Sequence, residues 1–237
     1  QVIDYLYVIL PFEKSFFEEK HQFQVDFVGH PLLDEIAQFD SGDESIFRAE
    51  NKLPKNTPII ALLPGSRAQE VTKMLSVMAA TATQFPDYCF VVAAAPHLDD
   101  SLFEGLPVYV VKNNTYTLLA HAKAALVTSG TATLETALFE VPQVVCYKTS
   151  AVSYFIGKQV VNLPYISLVN LILDKEAVPE RIQSGCNPTK LGADLSEILE
   201  GPKRKAQIDA YASLKELLGG SGASEKVAHL ITQRTSA

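Results

Sequence analysis

The chain has 237 residues, 47% of them hydrophobic, enough for one large domain or two small ones with a sizeable core. A formal charge of −7, a pI near 5.3 and no run of Lys or Arg longer than three residues exclude an extended nucleic-acid footprint. An acidic protein that binds an anion must do so locally, with helix N-termini and one or two basic side chains.

Taken in order, the chain opens on a strand-like run, Tyr5–Leu10, followed by a helical stretch over 12–20 and a second strand-like run, Val25–Val28. This βαβ pattern lacks the strands needed for a domain of its own. A chain that begins almost at once on a buried-type strand reads as one whose N-terminal part is missing. "DSGDES" (40–45) and "NKLPKNTP" (51–58) are polar and turn-rich, so the boundary is expected between about 34 and 57. We divide the chain into a remnant over 1–41 and a second domain over 42–237.

From Pro58 onward, apolar runs at Ile59–Leu63, Tyr88–Ala94, Val108–Val111, Ala124–Thr128 and Gln143–Tyr147 alternate with helical patterns near 67–85, 114–121 and 131–140. Strands without polar alternation, separated by helices, predict a parallel sheet covered on both faces. The fold class is therefore α/β, a doubly wound Rossmann-like domain. Beyond Tyr147 the pattern reads as mostly helical, with helices near 187–200 and 203–218, a glycine-rich break at Gly219–Gly222 and a last short helix.

The apolar segment Ala151–Leu173 is broken by Gly157, Lys158 and Pro164, and falls short of the roughly 18 uninterrupted apolar residues of a membrane span. Packing between domains or protomers is its expected role, with acyl-chain or membrane contact as the alternative. Cys89, Cys146 and Cys186 are odd in number and widely spaced, which fits neither a disulfide framework nor a metal site and suggests a reducing cytoplasm. No two of the five histidines stand at i, i+4, and no metal or cofactor is expected.

Two turns carry the chemistry. In "PIIALLPGSRAQEV" (58–71) an apolar strand breaks at Pro64-Gly65-Ser66-Arg67 and a helix follows, with Val71, Met74, Leu75 and Met78 on one face. Ser66 and Gln69 have the spacing of a capping box. Gly65 lets a ligand approach the backbone, the helix N-terminus offers N–H groups, and Arg67 adds a guanidinium suited to phosphate oxygens, although this stretch alone reads more readily as a capped turn with a surface arginine. In "ALVTSGTATLETAL" (125–138) the same logic recurs at Thr128, Ser129, Gly130 and Thr131.

These turns follow the first and fourth strands counted from Ile59. In the sheet order 3-2-1-4-5, strands one and four are neighbours that part at the topological switch point, where ligands bind. Glu135, one turn into the second helix, is placed either to accept two ribose hydroxyls or to complement the helix dipole. No G-x-G-x-x-G fingerprint and no P-loop is present, so a nucleotide with a diphosphate and a ribose fits better than a dinucleotide or ATP.

"FVGHPLLDE" (27–35), "LLPGSRAQEV" (62–71), "TSGTATLETAL" (128–138), "ISLVNLIL" (166–173) and "VPERIQ" (178–183) resemble the lipid-A-disaccharide synthases, in that family's order and spacing. The resemblance runs through nearly all of the chain. It implies a GT-B glycosyltransferase, two Rossmann-like domains facing a cleft, that needs no metal. Such an enzyme transfers 2,3-diacylglucosamine from its UDP derivative to 2,3-diacylglucosamine 1-phosphate, forming a β-1,6 disaccharide.

Carried over by motif, Ser66 and Arg67 would contact the diphosphate beside Gly65, Ser129, Gly130 and Thr131 would line the same pocket, and Glu135 would bind ribose. Asn170, Glu180 and Gln183 match polar positions that face the cleft. Read as residues alone, Asn170 is equally a loop-forming asparagine, and Glu180 and Gln183 a solvated helix start after Pro179. His30, with Asp34 four residues on, is a weak catalytic candidate, and a hinge is the preferred reading of that segment.

Val169 stands where the family often has proline. The family's Gly-Glu-x-Ser-Gly-Asp-like motif and its expected general base belong to the absent half, and Ser41–Asp43 is a decoy for them. Localisation at the cytoplasmic side of the inner membrane, contact with lipid substrates and homo-oligomer formation are implied by the resemblance. Another UDP-N-acetylglucosamine enzyme of this scaffold, an epimerase or N-acetylglucosaminyltransferase, and a non-catalytic sugar-nucleotide module are the alternatives.

Overall fold

A computed structural model describes residues 3–149 and 164–235. The first part of Ala151–Leu173, with Gly157 and Lys158, lies outside the described residues. At the N-terminus β1 (Tyr7–Val8) and β2 (Asp26–Phe27) pair in parallel, Tyr7 opposite Asp26 and Val8 opposite Phe27. They are joined by α1 (Pro11–Ser15), which runs on into a π-helical turn over Phe16–Lys20. Both strands are shorter than the apolar runs suggested.

Two short helices lead into the second sheet, α2 (Leu32–Ala37) and α3 (Glu44–Glu50). Helix α3 lies in the polar stretch read as linker. Asp43 caps it, accepting from the Ser45 and Ile46 N–H groups, so the Ser41–Asp43 tripeptide starts a helix and follows no strand.

The larger sheet contains β3 (Ile59–Leu63), β4 (Cys89–Ala94), β5 (Tyr109–Lys112), β6 (Ala122–Thr128), β7 (Gln143–Tyr147) and β8 (Glu180–Ile182). All pairs are parallel, in the order β5-β4-β3-β6-β7-β8. The order of the first five matches the doubly wound expectation. The sixth corrects the sequence reading: Glu180 and Arg181 begin an edge strand, not a helix, with Val145 opposite Glu180 and the Pro179 carbonyl accepting the Val145 N–H. A strand of three half-buried residues has no apolar run to announce it.

The helices over this sheet are α4 (Ala68–Thr81), α5 (Thr115–Ala120), α6 (Thr131–Leu138), α7 (Leu168–Leu173), α8 (Pro188–Leu199) and α9 (Pro202–Leu217). Every residue of β3 is buried, because alternate side chains enter two cores. Ile60 and Leu62 meet Met74, Leu75 and Met78 of α4, while Ile59, Ala61 and Leu63 meet Leu118 and Leu119 of α5. A third core joins α6, α7 and α9 through Leu134, Val169 and Tyr211, and Leu32, Leu33 and Ile36 of α2 pack on it.

The last helix, α10 (Ala223–Thr235), spans 13 residues and returns to the N-terminal strands. Arg234 donates to Asp26 at 2.7 Å and lies over the Tyr5 ring, and Lys226 donates to the Phe27 carbonyl. Where the chain crosses, the His30 N–H bonds the Leu218 carbonyl at 3.0 Å and Asp34 accepts from the Gly222 and Ser224 N–H groups.

Candidate functional site

The two turns meet as the topology requires. β3 and β6 are hydrogen-bonded neighbours, Leu63 opposite Val127, so both turns leave the same end of the sheet. Between them lies a cavity of about 440 Å³ lined by Gly65, Ser66 and Arg67 from the first turn and by Ser129, Gly130, Thr131 and Glu135 from the second. Thus all seven residues singled out in the two turns are brought together.

The first turn is open. Gly65 has φ +108, a conformation L side chains rarely adopt, and a Cβ there would stand 2.7 Å from Glu70 Oε2. The expected capping box is not formed. Helical dihedrals begin at Ala68, Arg67 is the N-cap, and no side chain caps the N-terminus. That puts Glu70, not Gln69, at the third helical position, where its carboxylate folds back over Gly65 and pairs with Arg67 at 3.3 Å. Arg67 is otherwise free, its side chain 83% exposed. The α4 N-terminus, with its N–H groups and the half-charge of the dipole, lies at the cavity beside Arg67 and Glu70.

The second turn is tied down. The Ser129 hydroxyl donates to the Ile166 carbonyl at 2.7 Å and the Ser129 N–H to the Cys146 carbonyl. Gly130, at φ +152, opens α6, and its carbonyl accepts the Thr133 hydroxyl at 2.8 Å. Thr128, which the sequence reading named only as part of the turn, is buried against the cavity with its hydroxyl unpartnered among the described residues. An orphaned buried hydroxyl at a cavity wall is a ready contact for a ligand oxygen.

Glu135 is half-buried at the cavity wall. Burial raises its pKa, a hydrogen bond from the Tyr116 hydroxyl at 3.4 Å opposes that rise, and Glu35 adds to it.

A second cavity of about 420 Å³ adjoins the first, sharing Ala95 and Thr115, with Asn113, Asn114, Phe39 and Tyr116 along it. A third, of about 490 Å³, lies on the opposite flank of the α4 N-terminus and adds Lys73 and Lys148 to Arg67. These residues escaped the sequence reading. Only the Asn113–Asn114 turn, with Asn113 at φ +58, carried a local signal.

Asn170, Glu180 and Gln183 do not line the crevice. Asn170 is fully buried, donating to the Val178 carbonyl and Glu180 and accepting from the Ala177 and Val178 N–H groups. Glu180 accepts the Ile166 and Ser167 N–H groups, each at 2.9 Å, and Gln183 accepts the Thr149 N–H. Together Asn170 and Glu180 bracket the backbone whose Ile166 carbonyl anchors Ser129, one layer behind the cavity. His30 is buried, its Nδ1 accepting the Leu32 N–H, and burial lowers its pKa against the opposing field of Glu13. Asp34 bonds Gly222 and Ser224, so it does not orient His30 as a catalytic pair would require.

Among the described residues, no group of three or more His, Cys, Asp or Glu is placed to hold a metal ion, and no helix is long and apolar enough to cross a membrane.

Residues 1–232 match the family model described as lipid-A-disaccharide synthetase. The chain belongs to that family. Relatives named lipid-A-disaccharide synthase include those of Syntrophus aciditrophicus, 39% identical over 96% of this chain and 62% of its own length, and Sulfurihydrogenibium sp., 35% identical over 96% and 64%. That of Rhodospirillum centenum is 34% identical over 99% and 62%. The chain therefore spans less than two thirds of the relatives it matches.

Among solved structures, a UDP-GlcNAc 2-epimerase from Neisseria meningitidis bound to UDP-GlcNAc is similar with a TM-score of 0.67 at 12% identity, over 97% of this chain and 61% of that one. The glycotransferase of kitacinnamycin is similar with a TM-score of 0.61 at 18% identity, over 98% and 55%. At these identities the likeness is one of fold, and it agrees with the GT-B architecture implied by the family motifs.

Proposed function

We propose that this chain is the donor-nucleotide portion of a lipid-A-disaccharide synthase, with residues 1–41 belonging to the acceptor side. The observation that carries the proposal is the shared cavity between the β3–α4 and β6–α6 turns, with Glu135 on its wall. A diphosphate fits where the uncapped α4 N-terminus, Arg67 and the Thr128 hydroxyl converge. Glu135, ionised, accepts the two ribose hydroxyls. The base extends into the adjoining cavity by Asn113 and Asn114, whose side-chain amides can donate to and accept from its polar edge. The relatives' shared name supports this chemistry, and an epimerase of similar fold that is bound to UDP-GlcNAc supports a UDP-sugar as the ligand.

In the whole enzyme, the acceptor 6-hydroxyl of 2,3-diacylglucosamine 1-phosphate attacks the anomeric carbon of the UDP-linked 2,3-diacylglucosamine. The new O–C bond forms as the bond to the diphosphate oxygen breaks, with inversion. A base outside these residues takes the hydroxyl proton. Charge accumulates on the departing UDP, and the α4 N-terminus and Arg67 stabilise it as it develops. Both substrates are lipids, so the enzyme works at a membrane surface, on the cytoplasmic face of the inner membrane.

Calorimetric titration with UDP, with GDP as control and Arg67→Ala alongside, tests the reading. Saturable binding of UDP, weaker binding of GDP and a roughly ten- to hundredfold loss on substitution are expected, since one charge-assisted contact is worth roughly 1.5–3 kcal/mol. Equal affinity for UDP and GDP, or no effect of the substitution, would contradict it.

A further inference from the structure

Glu135 does not face the nucleotide alone. Behind it stands Tyr116 of α5, whose hydroxyl donates to Glu135 Oε1 at 3.4 Å. The Tyr116 ring is held edge-on by Phe39 at 5.4 Å and against Phe139 at 5.1 Å, and those two rings touch each other at 5.7 Å. Three mutually packed rings leave the phenol little freedom, so its hydroxyl is a fixed post beside the carboxylate. Glu35 sits on α2, which packs beside α6 through Leu32, Leu33 and Ile36 against the core that holds Leu134 and Leu138, so its negative charge lies near both groups and raises the pKa of each. Helix α2 belongs to the crossing segment, tied through His30 to Leu218 and through Asp34 to Gly222.

We propose that Tyr116 and Glu35 are opposed positioning groups for Glu135: the Tyr116 hydroxyl holds its carboxylate ionised and turned to the ribose diol, while Glu35 works against it. This rests on the donor-nucleotide reading of the crevice. The chemistry is one of shared protons. A carboxylate that accepts two ribose hydroxyls must be ionised, since a protonated carboxyl spends one oxygen on its own hydrogen. Tyr116 donates one hydrogen bond and stabilises the ionised form, whereas a second carboxylate nearby favours the protonated form.

The groups that face Glu135 are Tyr116 from α5, Glu35 from α2 and, across the cavity, Arg67 and Glu70 at the start of α4. Arg67 and Glu70 are the same in every protein compared, so the two substitutions read the opposed pair alone.

The two groups push Glu135 in opposite directions, and the test reads those signs. UDP is titrated into the protein across pH, unsubstituted and with Tyr116→Phe or Glu35→Gln. In the unsubstituted protein, affinity falls as pH drops through the raised Glu135 pKa. Tyr116→Phe removes the donor that favours the ionised form, so the midpoint of that fall moves to higher pH, by about half a pH unit or more. It also narrows the preference for UDP over 2′-deoxy-UDP, because the carboxylate is no longer turned to the diol. Glu35→Gln removes the opposing charge, so the midpoint moves to lower pH. Both replacements keep side-chain shape, and a thermal melt checks the fold. If Tyr116→Phe fails to fold, the Glu35→Gln midpoint alone decides.

Midpoints that stay put, or that move in the same direction, while UDP still binds, overturn this inference and leave the donor site standing. No saturable binding of UDP by the unsubstituted protein overturns both.

Discussion

The two strand-to-helix turns look alike in sequence and are built differently. Both follow buried parallel strands, both hold a glycine at positive φ, and both deliver a helix N-terminus to one cavity. The Pro64–Arg67 turn has no side-chain cap, an exposed arginine and a lone ion pair to Glu70. The Thr128–Thr131 turn is fixed to the backbone of Cys146 and Ile166, and behind it Asn170 and Glu180 lock Ile166 and Ser167. One wall therefore supplies adjustable positive charge and the other supplies fixed position. Under the proposed function both would serve: charge that can follow a leaving diphosphate, and a rigid surface that keeps the ribose and anomeric carbon in place.

The sharpest way to break this contrast is Asn170→Ala. It leaves the Ala177 and Val178 N–H groups and the Val178 carbonyl without their partners in a dry site. Each orphaned group costs roughly 1–3 kcal/mol, so a stability loss of about 3 kcal/mol or more is expected in equilibrium denaturation. A loss below about 1 kcal/mol would show that the bracket is not rigid. Gly65→Ala should act on the adjustable wall instead. Its φ of +108 and the approach of a Cβ to Glu70 predict a smaller destabilisation of about 1–2 kcal/mol, with weaker UDP binding as the turn reshapes. An unchanged melt and an unchanged affinity would mean the turn absorbs a side chain freely.

The smallest effect concerns the crossing segment. Hydrogen bonds from the Gly222 and Ser224 N–H groups hold the Asp34 carboxyl below its ordinary pKa. Its contribution is therefore present above the unfolded value near ~3.9 and is lost as pH falls through the lower folded value. Asp34→Asn should speed amide exchange at Gly222 and Ser224 at neutral pH and flatten the acid side of the stability curve. Identical exchange in the two proteins would remove Asp34 from the account of the crossing.

What could be read from the residues follows from where the physics is local. Ile59–Leu63 and Gln143–Tyr147 coincide with their strands because a strand buried on both faces must be an unbroken apolar run. Edge strand β8 has no such run, and Glu180-Arg181-Ile182 reads as a helix start until Tyr147 is seen beside it. Ser66 was misassigned as a cap because spacing alone cannot say at which residue helical dihedrals begin, and a shift of one residue exchanged Gln69 for Glu70. The seven cavity residues were legible because two similar turns on neighbouring strands must converge. The Asn170–Glu180 bracket and the Glu35–Tyr116–Glu135 cluster join residues on separate elements with no shared local pattern. Only the folded chain brings them together.

The central claim is that both walls grip one nucleoside diphosphate, and a crystal structure of the protein with UDP tests it most directly. The account predicts diphosphate oxygens within hydrogen-bond distance of the α4 N-terminal N–H groups and Arg67, and both ribose hydroxyls on Glu135. It also predicts Glu70 withdrawn from Gly65. UDP bound elsewhere, or bound with Glu135 out of reach of the ribose, would contradict it.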